Sequence, residues 1–509
     1  MSASGPPPAG PPAREPAPAG FGLVLDPGVR RLDQGGRVLV GGSPLRILRL
    51  APAGAALLDR WVAGTPVAES LAQRRLARRL LDAGIAHPRP PQPDVTLGHD
   101  EVVAIVPVLG APEGLRATLR GLADAGCGQI VVVDDGSTAP EATWLDERAA
   151  EVGGVCVHAE RNGGPAAARQ LGLAHAQRPL VLFVDADAVA PDRDGLTRLR
   201  AHLADPAVVA VAPRIVARLG QDPPSALERF EAAHLPLDLG GAEARVVPRT
   251  TVAYVPTAAL LVRRDALEAV GGFDVALRYG EDVDLIWRLV DAGGVVRYEP
   301  AVQLGHEPRP TWRSWLSQRF RYGTAAAPLH RRHPGQVPPL AVSGWSLAAW
   351  VLAGLGWPLA GLAVAAGSAA ALPRKLAGSV PDPRREALRL AGWGHGHAGR
   401  WVARAVTRTW WPFALVAALG SRRARRAVVA AVAVPALADW WSRRAQIGLD
   451  PVRYVALRLA DDVAYGAGVW AGCVRHRTVG PLVADLTSWP GRRGAGDGEP
   501  GEASRGRDG

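Results

Sequence analysis

Short unbroken apolar runs alternate with amphipathic stretches through the middle of the chain. Val102–Val106, Ile130–Val133, Leu180–Val184 and Val208–Ala212 contain no polar residue. They have the length of strands buried on both faces. Between them Gly114–Ala125, Pro165–His175 and Gly195–Leu203 carry apolar residues at helical spacing. A strand–helix rhythm of this kind predicts an α/β domain over 98–330, with a mostly parallel sheet flanked by helices. No G-x-G-x-x-G sequence follows the first strand, which argues against a nicotinamide-binding Rossmann site.

Different patterns flank this region. Phe21–Leu25 and Val38–Val40 are short runs around the turn signal Asp33-Gln34-Gly35-Gly36. Leu45–Leu58 and Val67–Leu81 follow with helical periodicity; in the second, Leu71, Leu76, Leu80 and Leu81 oppose Arg74, Arg75, Arg78 and Arg79. These features predict a small winged-helix-like α+β module over 21–90, and the prolines of His87–Pro93 suggest its boundary. After Pro338 the chain turns hydrophobic. Ala341–Pro373 has no charged residue and is long enough to reach across a hydrocarbon core. Basic residues on both sides favour a re-entrant hairpin over a single span; a buried helical pair is the alternative. Trp410–Leu419 and Ala427–Leu437 are shorter, and Arg422, Arg423, Arg425 and Arg426 lie between them. With Trp410, Trp411, Trp440 and Trp441 at their ends, they suit the interface of an anionic membrane. The reading is a hydrophobic, membrane-associated helical region over 338–489, held peripherally or re-entrantly at the cytoplasmic face of the cell membrane. The Pro- and Gly-rich residues 1–20 and the charged residues 490–509 read as disordered tails.

Composition changes this picture little. The formal net charge is +11 over 509 residues, but the arginine clusters do not alternate with aromatics in one compact domain, so nucleic acid is not an expected partner. Cys127, Cys156 and Cys473 fit neither a disulfide framework nor a zinc spacing, which points to a reducing compartment. The first residues lack the apolar core of a secretory signal.

The candidate chemistry is acidic and sits at strand ends. Val131–Val133 leads into Asp134-Asp135-Gly136-Ser137, at the carboxyl edge where open α/β sheets bind ligands. Carboxylates there can accept hydrogen bonds from a base or ribose; a capped turn is the structural alternative. Leu180–Val184 leads into Asp185-Ala186-Asp187. Residues two apart in extended chain face the same way, so Asp185 and Asp187 can share one Mg2+ or Mn2+ with diphosphate oxygens. Farther on, Tyr279-Gly280-Glu281-Asp282-Val283-Asp284 opens a helix. Its dipole alone favours acids, but Asp282 also fits a general base that deprotonates an acceptor hydroxyl, with Glu281 orienting it and Asp284 as competitor. Gln318, Arg321 and Tyr322 offer a diphosphate contact and a stacking surface. Arg169 faces the nucleotide or the surface, and His306 is a further candidate for a metal or phosphate contact.

Taken in order, Val132-Val133-Asp134-Asp135-Gly136-Ser137, Asn162-Gly163-Gly164 with Ala168-Arg169, Asp185-Ala186-Asp187, Gly272-Phe273-Asp274, Glu281-Asp282, and Gln318 with Arg321-Tyr322 resemble the family 2 glycosyltransferases of the GT-A fold. The resemblance covers about Val102 to Tyr322. It implies nucleotide binding by Asp135, metal and diphosphate binding by Asp185 and Asp187, and an inverting reaction with Asp282 as base. Tyr322 stands where the family's Q-x-x-R-W motif has Trp, a departure that bears on processivity. The arrangement as a whole is similar to the mycofactocin-system members of that family. That similarity includes Val29–Leu39, which resembles peptide-binding PqqD-like modules, and the closing Leu459–Trp470 with Val474-Arg475-His476. It implies UDP-glucose as donor, the peptide-derived redox cofactor mycofactocin or its precursor as acceptor, and a β-1,4-glucan chain as product. Competing readings are a transferase acting on lipid or cell-envelope polysaccharide, a non-catalytic nucleotide-sugar scaffold, and a nucleotidyltransferase.

Overall fold

A computed structural model describes residues 14–33, 35–91, 98–220, 223–309 and 311–488. The first unit opens with strand β1 (Gly22–Leu25), then the antiparallel set β2 (Arg30–Arg31), β3 (Val38–Gly41) and β4 (Arg46–Arg49). Helices α1 (Pro52–Val62) and α2 (Leu71–Asp82) follow, and β5 (Ala86–Arg89) returns to pair with β1. Two expectations change here. Leu45–Leu58 is not one helix: the chain stays extended to Arg49, and Pro52 then supplies the fixed φ of a first helical turn. His87–Pro93 is not simply a boundary, because His87, Pro88 and Arg89 are β-paired with Val24, Leu23 and Gly22. Residues 14–20 are also packed, not a tail: the Ala17 side chain is buried and its N–H donates to the Arg74 carbonyl. The remainder of both expected tails, residues 1–13 and 490–509, lies outside the described residues.

The central unit is an eight-stranded sheet. Strands β6 (Val102–Val108), β7 (Gln129–Asp134), β8 (Val155–His158) and β9 (Leu180–Val184) run parallel, as do β10 (Val208–Ala217) and β13 (Val295–His306). The short β11 (Ala244–Arg245) borders β13, and β12 (Ala259–Arg263) is antiparallel between β9 and β10. The expected α/β class with a mostly parallel sheet is therefore present. Alternation along β6 sends Val102, Ala104 and Val106 to one core and Val103 and Ile105 to the other. Helices α3 (Leu115–Asp124), α4 (Ala139–Ala150), α5 (Pro165–Ala174), α6 (Arg193–His202), α7 (Ala226–Ala233), α8 (Arg264–Ala269) and α9 (Glu281–Asp291) fill the connections.

The first unit is fastened to this sheet by buried charge. Arg78 makes a two-oxygen ion pair with Asp205 at 2.6 and 2.8 Å, both side chains buried. Arg297 on β13 meets His87 at 3.2 Å and Glu243 at 3.8 Å. Burial pulls the Arg297 guanidinium down to about 10 even so.

The final third is helical: α10 (Trp312–Thr324), α11 (Ala326–Arg332), α12 (Gly344–Gly354), α13 (Pro358–Leu376), α14 (Pro383–Arg408), α15 (Trp411–Gly420), α16 (Arg422–Ile447) and α17 (Pro451–His476). The charge-free stretch from Ala341 does not form one long helix. It breaks at Leu355-Gly356-Trp357, where Gly356 takes a φ of 91°, into the α12–α13 hairpin. Among the described residues no helix is long and apolar enough to cross a membrane. Helix α10 lies against α17 through glycine. A Cβ at Gly323 would stand 2.0 Å from the Tyr465 carbonyl oxygen, and one at Gly468 would stand 2.0 Å from that of Phe320.

Candidate active site

The carboxyl ends of the parallel strands deliver the acidic residues to one edge. β7 ends at Asp134, and Gly136 turns the chain at φ 80°, where a Cβ would stand 2.6 Å from the Asn162 nitrogen. Asp135 reaches across to α5. Its two oxygens accept from the backbone N–H groups of Gly163 and Gly164 at 2.8 and 2.9 Å. A carboxylate has lone pairs to spare after two such bonds, so Asp135 can still meet a base or ribose. Asp134, the adjacent residue, faces elsewhere. It accepts from the Ser137 N–H and from His158 Nδ1, each at 2.9 Å, and His158 also meets Asp146 at 3.0 Å. Burial alone would push the Asp134 carboxyl up, but the Ser137 and His158 bonds outweigh it and hold it low. The expected nucleotide contact of Asp134 is thus replaced by a turn-fastening one.

Asp185 and Asp187 follow β9 and stand beside the end of β13. The Val189 N–H donates to the Gly305 carbonyl at 2.9 Å, and the Thr118 hydroxyl on α3 donates to the Ala188 carbonyl at 2.7 Å. Ligand atoms of Asp185, Asp187 and His306 all lie within 4.8 Å of one another. His306 Nδ1 is 3.0 Å from the Glu307 carbonyl and Nε2 is 3.5 Å from Asp187. A proton on Nδ1 satisfies the carbonyl and leaves the Nε2 lone pair aimed toward the carboxylates. Two hard oxygens and one imidazole suit Mn2+ or Mg2+, so the residues present fit a divalent cation. A second trio, Asp146, Cys156 and His158, is equally compact. Both of its histidine nitrogens are engaged, and burial pushes the Cys156 thiol up to about 12, which suits a ligand poorly.

Arg169 links the two acidic clusters. Its guanidinium is buried, with Nη2 2.7 Å from Asp185 and Nη1 3.0 Å from Glu281. Burial overturns the surface reading of this residue: Arg169 is a strut between the Asp185–Asp187 turn and helix α9. Gly280 enters that helix in the left-handed conformation, φ 78°. Burial first, and the Glu281 charge second, raise the half-buried Asp282 carboxyl to about 7. Its Oδ1 accepts from the Val283 N–H at 2.8 Å. The charge of Asp282 is felt at the Tyr254 and Tyr322 phenols, both pushed up chiefly by burial. Asp284, the expected competitor, is buried and held by Arg288 at 2.8 Å and His333 at 3.0 Å.

Helix α10 closes the site with Tyr322. Gln318 accepts from Arg319 at 3.0 Å, while Arg321 is exposed. The buried arginine of this turn is Arg319, which pairs with Glu231 at 2.6 Å and with Asp461. Neither Arg319 nor Tyr254 stood out in the sequence. Arg319 and Asp461 are separated by 142 positions, and no local signal joins them.

The model of the glycosyl transferase family 2 matches residues 103–271. A pre-mycofactocin glycosyltransferase of Mycobacterium tuberculosis, represented in two strains, is 42% identical over 480 residues, covering 91% of this chain and 97% of the relative. A mannosyltransferase from Pyrobaculum calidifontis, solved with GDP-Man and Mn2+, is 19% identical with a TM-score of 0.41, covering 74% of this chain and 87% of that one. Sequence identity of that extent over nearly the whole relative, joined to the acidic edge built from β7, β9 and α9, places the chain among the family 2 glycosyltransferases, in the group of the pre-mycofactocin glycosyltransferases.

Proposed function

We propose that this enzyme moves glucose from UDP-glucose to the peptide-derived redox cofactor mycofactocin or its precursor, with inversion, and extends it as a β-1,4-glucan. The observation that carries the mechanism is Asp282, a half-buried carboxyl raised to about 7 at the start of α9. A base with that affinity is half ionised near neutral pH and strong enough to take a proton from an acceptor hydroxyl. Asp135 contacts the nucleotide, and Tyr322 borders the acceptor. Mg2+ or Mn2+ held by Asp185, Asp187 and His306 would neutralise charge on the departing diphosphate. Arg169 fixes the spacing between that cluster and α9, and Glu281 keeps Asp282 basic. The acceptor rests on the likeness to the mycobacterial pre-mycofactocin glycosyltransferase, and the donor and linkage on the family resemblance of the sequence motifs.

The helical third is proposed to rest on an anionic membrane at the cytoplasmic face. Support comes from α15, which has no buried residue and exposes Phe413, Val416 and Leu419 beside the arginines that open α16. The same surface favours a lipid-linked acceptor as the second reading. Incubating the full-length protein with UDP-glucose, Mn2+ and either the cofactor precursor or a lipid extract tests both. A ladder of hexose additions on the precursor, read by mass spectrometry, supports the first. Hexose on lipid alone transfers the assignment to the second, and no product with either rejects both.

A further inference from the structure

A cavity of about 620 Å3 lies in the helical third, between α14, α16 and α17, and shares no residue with the acidic edge described above. Its polar wall is cationic. Arg400 and Arg404 enter from α14 and Arg458 from α17. Among the described residues none of these guanidinium groups has an ion pair or hydrogen bond, although Arg404 lies 5.9 Å from the Trp401 ring centre. The acids nearby are already committed. Asp439 is taken by His234 at 3.1 Å, Arg443 at 3.0 Å and the Tyr454 hydroxyl. Asp462 is taken by the Thr407 hydroxyl at 2.8 Å and Arg408 at 3.3 Å. The opposite wall is apolar, from Val432, Pro435 and Ala436 of α16.

Unpaired cations gathered in one cavity repel one another. Arg400 and Arg404 stand exposed at the rim of the cavity and Arg458 is half-buried; the charges of Arg408 and then Arg458 act to lower the Arg404 guanidinium. Asp439 and Asp462 line the cavity, and Asp462 with Asp461 offsets part of this repulsion at Arg404, but both lining carboxylates are held by the partners named above and four lining arginines outnumber them. A single carboxylate would leave most of the excess in place, whereas a phosphate or diphosphate offers several charges and matches the guanidinium fork. The apolar wall and Trp401 give a carbon skeleton somewhere to lie.

We propose that this cavity is a second ligand site, binding a phosphate-bearing molecule with an apolar portion through Arg400, Arg404 and Arg458. A phospholipid headgroup and a soluble phosphate compound share this chemistry, and the test separates them. Full-length protein in EDTA is titrated with inorganic pyrophosphate by calorimetry, and in parallel mixed with phosphatidylglycerol–phosphatidylcholine or pure phosphatidylcholine vesicles in a flotation assay. The comparison protein carries Arg400→Gln, Arg404→Gln and Arg458→Gln together. These substitutions remove like charges, so its thermal unfolding temperature should not fall; should it fail to fold, Arg458→Gln alone replaces it. Wild-type binding that weakens about 10-fold or more in the variant supports the site. Pyrophosphate binding identifies a soluble source, and binding to phosphatidylglycerol vesicles alone identifies a headgroup. Equal binding by wild type and variant, or no binding of either probe by wild type, overturns the proposal.

Discussion

Replacing Asp282 by Asn removes the proton acceptor while keeping size and shape. The Asp282 carboxyl is raised from 3.8 to about 7. Two units below that value only about 1% of it is ionised, so the wild-type rate should fall about 10-fold per pH unit below about pH 6 and level off above about pH 8. Asp282→Asn should lower transfer by about 10²–10⁴-fold, the range for losing a general base, and flatten that limb. Donor binding should survive. Stability should move in the opposite direction. A carboxyl raised in the folded state favours folding below its unfolded value and loses that contribution as pH rises through about 7. The variant, which has no charge to bury, should therefore melt above wild type at pH 8 and show no such advantage near pH 4. The assay is initial-rate transfer across pH with saturating donor, paired with thermal unfolding of both proteins. A wild-type acid limb near pH 4, or near-normal transfer by a folded Asp282→Asn, would refute the assignment.

Glu281 raises Asp282 through its charge, so Glu281→Gln should shift the acid limb of the rate profile to lower pH; an unmoved limb would separate the two residues. Asp187→Asn and His306→Ala should each raise the cation concentration needed for half-maximal rate by about 10-fold or more, and unchanged titrations would remove those residues from the metal set. Arg319→Met strands Glu231 inside the protein and leaves Asp461 with Arg408 alone and should cost about 3–5 kcal/mol in denaturant unfolding, whereas Arg321→Ala at the exposed neighbour should change stability little. Arg78→Ala should cost a similar about 3–5 kcal/mol by leaving Asp205 buried and unpaired. A near-wild-type midpoint for it would show that the first unit is held in some other way.

The parts of the candidate site that the sequence located are those where one local pattern marks both a strand and the acids at its end. An apolar run ending in Asp135, or in Asp185 and Asp187, announces a buried strand and places its acids at the carboxyl edge of the sheet. Asp134 shows the limit of that reasoning: its neighbour Asp135 reaches Gly163 and Gly164, and side-chain direction on the turn sends Asp134 to Ser137 and His158 instead. β12 escaped notice because an antiparallel strand among parallel ones breaks the strand–helix rhythm. The partners of Arg319, Arg169 and Arg78 lie far along the chain, and charge alone does not say which carboxylate each will meet. Arg14–Gly20 misled through composition, since a Pro- and Gly-rich stretch packs well once Ala17 and the Arg14 side chain find fixed partners.

The glycine contact of α10 with α17 has a mechanical consequence. Most helix pairs are separated by side chains that compress, rotate and absorb small movements. Here the Gly323 and Gly468 positions leave main chain touching main chain, so the junction has almost no slack. A sideways shift of α17 is handed directly to α10 and hence to Tyr322, which stands near Asp282 and Asp185. The closing helix is therefore a stiff back-plate for the candidate site, and the smallest enlargement along it, a single methyl at Gly323 or Gly468, would press on the main chain of its partner helix.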